Sequence, residues 1–80
     1  MALQTRVLIA DDQQPVREGL RCLLSLSSQV EVVGEAADGQ DVLHIVAERH
    51  PDVVLMDIQM PVMDGLEATR RIKSQWPGVR

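Results

Sequence analysis

Three aspartates stand directly behind short aliphatic runs: Asp11 and Asp12 follow Val7–Ala10, and Asp57 follows Val53–Met56. A single acid behind a strand ordinarily caps a helix or opens a turn, and Asp38 and Asp64 fit that reading. Two adjacent acids with a third behind a second run do not, because no cap uses all of them. If the two runs are neighbouring parallel strands, their ends share one sheet edge, the edge at which open α/β sheets bind ligands. The three carboxylates then converge. Bare carboxylates crowded together repel one another; a hard divalent cation relieves the repulsion, and a small oxygen-only donor set with room for water favours Mg²⁺.

The elements that must position these acids alternate in texture. Arg6–Ala10 and Asp52–Met56 are apolar runs of the kind buried on both faces of a parallel sheet, and both read as central strands. Val30–Ala36 sets Glu31 and Glu35 among Val30, Val32, Val33 and Ala36, a half-alternating pattern suited to an edge strand. Helical periods lie between and after them. In the first, Val16, Leu20, Leu23, Leu24 and Ser27 share one side and Arg17, Glu18 and Arg21 the other, with Pro15 in the first turn. The second opens at Asp38, offers Val42, Leu43, Ile45, Val46 and Ala47 as an apolar face, and closes at Pro51. The third opens at Asp64-Gly65-Leu66-Glu67, faces inward with Leu66, Thr69, Ile72 and Trp76, and ends at Pro77-Gly78. The order is β-α-β-α-β-α with right-handed crossovers, an α/β parallel sheet. Acid convergence requires the second strand to lie on the far side of the first, giving the order 2-1-3.

Composition narrows the function. With 80 residues, 12 Asp and Glu against 8 Lys and Arg, and a net charge of -4, the chain reads as one small acidic domain without the basic surface that grips a nucleic-acid backbone. Its apolar runs are far too short to span a bilayer, and it reads as cytoplasmic. One cysteine, Cys22, excludes an internal disulfide and reads as helix-face packing. The lone aromatic, Trp76, argues against base stacking. His44 and His50 are a poor ligand pair and read as solvated surface.

Val7-Leu8-Ile9-Ala10-Asp11-Asp12, Val16-Arg17-Glu18-Gly19-Leu20 and the stretch from Pro51 through Asp57 and Gln59-Met60-Pro61 to Asp64-Gly65 closely resemble the receiver domain of bacterial two-component response regulators. Val32-Val33-Gly34-Glu35-Ala36-Ala37-Asp38-Gly39 resembles the NarL/FixJ group, whose members usually carry a LuxR-type helix-turn-helix output domain. The resemblance runs over residues 5 to 80. It implies a flavodoxin-like fold in which Asp57 accepts a phosphoryl group from a sensor histidine kinase. Asp11 and Asp12 would hold Mg²⁺ together with Asp57 and the backbone carbonyl of Gln59. The acceptor would be no enzyme beyond self-catalysed phosphoryl transfer and hydrolysis.

By the same resemblance residues 1–80 are the N-terminal three-fifths of a receiver, (βα)3 of an expected (βα)5, cut before strand four. The hydroxyl residue of strand four, the lysine of strand five and the DNA-binding output domain lie outside the chain. Any DNA contact belongs to that output domain, and no membrane contact is expected. Strand three, left as an open edge, is expected to promote self-association, aggregation or unfolding of the 80-residue chain. The alternative function is therefore a receiver remnant that serves as a non-catalytic dimerisation or interaction module. A haloacid-dehalogenase phosphatase also uses an Asp after a parallel strand, but Gln59 stands where that class has its second acid. A dinucleotide fold would need a glycine-rich turn where Ala10-Asp11-Asp12-Gln13-Gln14 stands.

Overall fold

Aliphatic residues drive Thr5–Ala10 (β1), Val30–Ala36 (β2) and Val53–Met56 (β3) into extended backbone, and the segments of helical period form Gln14–Ser25 (α1), Gly39–Arg49 (α2) and Gly65–Gln75 (α3). The computed structural model describes residues 4–57, 63 and 65–80; Gln59 and Asp64, both singled out by the sequence, lie outside the described residues. The strands pair in parallel in the order β2-β1-β3. In the register Val7 lies opposite Val53 and Ala10 opposite Met56. On the other side of β1, Val7 pairs with Val32 and Leu8 with Gly34, so Val33 is an extra residue bulged out of the ladder.

Strand alternation sorts β1 between two unlike faces. Leu8 and Ala10 join Ala36 from β2, Val42 and Val46 from α2 and Ile72 from α3 in the buried core, with Val54, Met56 and Trp76 packed against it. Val7 and Ile9, also buried, serve the opposite face, which α1 covers. That covering is thin: no residue of α1 is buried, and Leu26 just beyond it is 84% exposed.

Several helix faces differ from the sequence expectation. Arg17, assigned to the solvent side of α1, is half-buried and reaches Glu35 on β2, which Arg21, exposed as expected, also meets; Val16 and Leu23, assigned to the apolar side, are exposed. Cys22 is exposed rather than packed. In α3 the inward residues are Gly65, Ala68 and Ile72, and Leu66 is exposed. In α2 Val42 and Val46 are buried, Leu43 and Ile45 half-buried and Ala47 exposed. The cause is common to all: periodicity marks an apolar stripe, but the layer lying over it decides which part is covered.

The helix ends follow local chemistry. Asp38 caps α2, its Oδ1 accepting from the Asp41 N–H at 2.8 Å. His50 ends α2 in the left-handed region at φ 49°, its N–H returning to the Val46 carbonyl, and Pro51 follows. Gly39 donates its N–H to the Met63 carbonyl at 2.9 Å, tying the start of α2 to the segment before α3. A Cβ at Gly39 would lie 2.3 Å from that carbonyl oxygen, so only glycine permits the approach. On the outer side of β3 the Val54 N–H donates to the Arg80 carbonyl and the Arg80 N–H to the Asp52 carbonyl. Arg80 thus makes a parallel-type rung with β3, and the N-terminal part of β3 is paired where an open edge was expected.

Replacing Gly39 by alanine forces backbone apart from backbone, and Gly39→Ala should lower the unfolding free energy by about 1–3 kcal/mol, read from the urea midpoint. On α3 the guanidinium groups of Arg71 and Arg70 hold the Glu67 carboxyl below the usual carboxylate range. A carboxyl with a lowered folded-state pKa stabilises above its unfolded value and loses that contribution as pH falls through the folded one. Glu67→Gln should therefore flatten the acid limb of the stability profile and leave the neutral limb unchanged in slope.

Candidate metal centre

The ladder delivers the acids to one place. The Asp11 N–H donates to the Ala36 carbonyl at 3.0 Å, and the Asp57 N–H donates to the Ala10 carbonyl at 2.9 Å, so both aspartates extend the sheet by one rung beyond the apolar runs. Asp11, Asp12 and Asp57 each offer a carboxylate oxygen, and the three atoms lie within 4.8 Å of one another. Asp11 and Asp57 are half-buried and Asp12 is exposed, in a cleft where Leu20 of α1 and Leu55 of β3 flank Asp11 and Asp57. This is the switch point of the sheet, where the connection from β1 leaves toward β2 and β3 lies on the other side.

The turn after β1 is fixed from several directions. Asp11 Oδ1 accepts from the Gln13 N–H at 2.9 Å, which shapes the entry to α1. The Asp11 carbonyl accepts from Arg17 Nη1 at 2.5 Å. Arg17 Nε lies 3.3 Å from Glu35 Oε1, and the second Glu35 oxygen accepts from Arg21 Nε at 2.7 Å. Sequence reading missed Arg17 and Glu35. The only signal was an arginine a helical turn and a half after the acid pair together with an acid near the end of the edge strand.

The donor set suits a hard cation: three carboxylate oxygens and, among the described residues, no thiolate or imidazole in the group. Asp11, Asp12 and Asp57 would hold such a cation, which would neutralise their crowded charge. The remaining candidates fall elsewhere. Asp52 sits at the opposite end of β3, where its carboxylate accepts from the Arg6 N–H at 2.9 Å. His44 pairs with Glu48 on the surface of α2, and His50 is exposed. The backbone carbonyl of Gln59 lies outside the described residues. Among those described, no helix is long and apolar enough to cross a membrane.

The family model for the response regulator receiver domain matches residues 7–80. The chain belongs to that family. A curated relative, the uncharacterized transcriptional regulatory protein YhcZ of Bacillus subtilis, is 46% identical over 72 residues, covering 90% of this chain and 34% of the relative. This receiver therefore spans about a third of the length of such relatives. The crystal structure of the response regulator domain of Thermotoga maritima CheB superposes with a TM-score of 0.88 at 35% identity, over 96% of this chain and 56% of that one. The crystal structure of a two-component response regulator of the LuxR family from Aurantimonas superposes at 0.90 with 38% identity, over 96% of this chain and 55% of that one. The three parallel strands in the order 2-1-3, with their helices, are the flavodoxin-like arrangement of these receivers.

Like charges 4.8 Å apart in a largely aqueous setting repel by about 1 kcal/mol. Asp12→Asn should accordingly raise the melting temperature of the metal-free receiver and respond less than the wild type to added Mg²⁺, both measured by calorimetry.

Proposed function

We propose that Asp57 is the phosphoacceptor of a two-component phosphorelay, with Mg²⁺ held by Asp11, Asp12, Asp57 and the Gln59 carbonyl. The observation that carries this reading is the meeting of three carboxylates at the ends of adjacent parallel strands. The donor is a phosphohistidine of a sensor histidine kinase. A carboxylate oxygen of Asp57 attacks phosphorus, the P–N bond breaks, and the imidazole leaves with the bonding electrons and takes up a proton. Bound Mg²⁺ would supply charge neutralisation to the acceptor and the phosphoryl oxygens. Asp57 is half-buried in a cleft lined by Leu20 and Leu55 and stays accessible to a donor. Asp52 is unsuited to the role, because it stands at the far end of the strand and is engaged with Arg6.

Residues 1–80 are then the N-terminal part of a receiver whose remaining strands, and a DNA-binding output domain regulating transcription, lie outside the chain. The likeness to a transcriptional regulatory protein and to a LuxR-family regulator supports that output. The protein would work in the cytoplasm, as a phosphoacceptor rather than an enzyme acting on other substrates. A second reading, self-association as a non-catalytic interaction module, is favoured by exposed Val16 and Leu23 on α1 and Leu55 on β3.

With a small-molecule phosphodonor and Mg²⁺, intact-mass analysis of the full-length protein should give one acid-stable, base-labile phosphoryl adduct. Asp57→Asn should lose it, and chelation of the metal should suppress it at least tenfold. An adduct retained in Asp57→Asn would overturn the assignment, and unmodified wild type that dimerises in light scattering would leave the interaction module as the better reading.

A further inference from the structure

Arg17 makes a contact that neither its charge nor its neighbours would suggest. Its Nη1 donates to the backbone carbonyl of Asp11 at 2.5 Å, and its Nε faces Glu35 Oε1 at 3.3 Å. The side chain is only 15% exposed. Glu35 is held in turn by Arg21 at 2.7 Å, so the acid on β2 is braced from two turns of α1. Asp11, directly after β1, adds one more rung to the ladder through its N–H to the Ala36 carbonyl. Beyond it the chain turns into α1, and among the described residues no strand backbone donates to its carbonyl. Leaving a partly buried carbonyl unpaired is costly, and a charge-assisted bond from Arg17 both satisfies it and fixes its direction.

We propose that Arg17, clamped by Glu35, is a positioning residue for the divalent-cation site. It holds the Asp11 carbonyl, and through that peptide it sets where the Asp11 and Asp12 carboxylates point. Glu35 has a second effect. By pairing with the guanidinium it keeps a fixed positive charge off the acidic cluster, which leaves the carboxylates to the cation. Lysine cannot substitute, because a single ammonium on a flexible stem does not present the fork that meets a carbonyl and a carboxylate together. The inference deepens the phosphoacceptor reading and rests on it.

The test compares wild type, Arg17→Ala, Arg17→Lys and Glu35→Gln in the full-length protein. Mg²⁺ affinity is measured by calorimetry, and metal-free hydrogen exchange is followed at the Gln13 amide, which bonds to Asp11 Oδ1. Outer partners of metal ligands typically contribute 10- to 100-fold in affinity. Arg17→Ala should weaken Mg²⁺ binding about tenfold or more and speed exchange at Gln13, with Arg17→Lys rescuing neither. Glu35→Gln keeps the shape of the strand and should give an intermediate loss, so the inference stays testable if Arg17→Ala does not fold. Wild-type affinity and exchange in a cooperatively melting Arg17→Ala or Glu35→Gln variant would overturn the inference alone. A wild-type protein without Mg²⁺ binding would overturn it together with the phosphoacceptor reading.

Discussion

The hydrogen bond from the Asp57 N–H to the Ala10 carbonyl is the last described rung between β1 and β3, and the acidic edge depends on it. It sets Asp57 beside Asp11, against the mutual repulsion of their charges. The opposing magnitudes explain why the arrangement holds. Each carboxylate pair costs about 1 kcal/mol near water, whereas burying one Leu, Val or Ile side chain contributes about 1.5–3 kcal/mol. Leu8, Val42, Val46 and Ile72 are all buried behind that rung. The apolar core on the α2 and α3 side therefore outweighs the crowding of charge, and the sheet edge can carry a site that would come apart in isolation.

Much of this was legible because it lives in contiguous sequence. Uninterrupted aliphatic runs announced β1 and β3, and Asp38-Gly39 announced the start of α2, since a strand run and a helix cap are both local signals. The convergence of Asp11, Asp12 and Asp57 needed one topological step, the 2-1-3 order, and the structure has that order. What stayed hidden needed knowledge of the covering layer. Arg17 looks like a solvated residue of an amphipathic helix until Glu35 is known to lie beneath α1. Leu66 likewise reads as inward until Ala68 and Ile72 are seen to take the contacts on α3.

The two faces of the sheet are not equivalent partners. One is sealed by α2 and α3 with residues from all three strands, and Gly39 and Met63 bind that layer to the segment following β3. The other is covered by α1, which buries none of its residues and attaches to β2 through Arg17, Arg21 and Glu35. Polar clamping adds to a thin apolar contact over Val7 and Ile9 there, so α1 is held on the sheet in part by the same side chains that hold the turn of Asp11.

The bulge at Val33 has a consequence in parity. Along an uninterrupted ladder Val33 would face Leu8, Gly34 would face Ile9 and Glu35 would stand beside Ala10, on the side filled by Val42 and Met56. One extra residue inverts the count. Gly34 now meets Leu8 under Ile45, and Glu35 meets Ile9 on the side where Arg17 waits. Deleting a single residue between Val32 and Gly34 would thus bury an acid among aliphatic side chains and at the same stroke strip Arg17 of its anchor. The irregular spacing of valines and glutamates in β2, which looks like a blurred strand signal, is a counting device that decides on which side of the sheet a negative charge emerges.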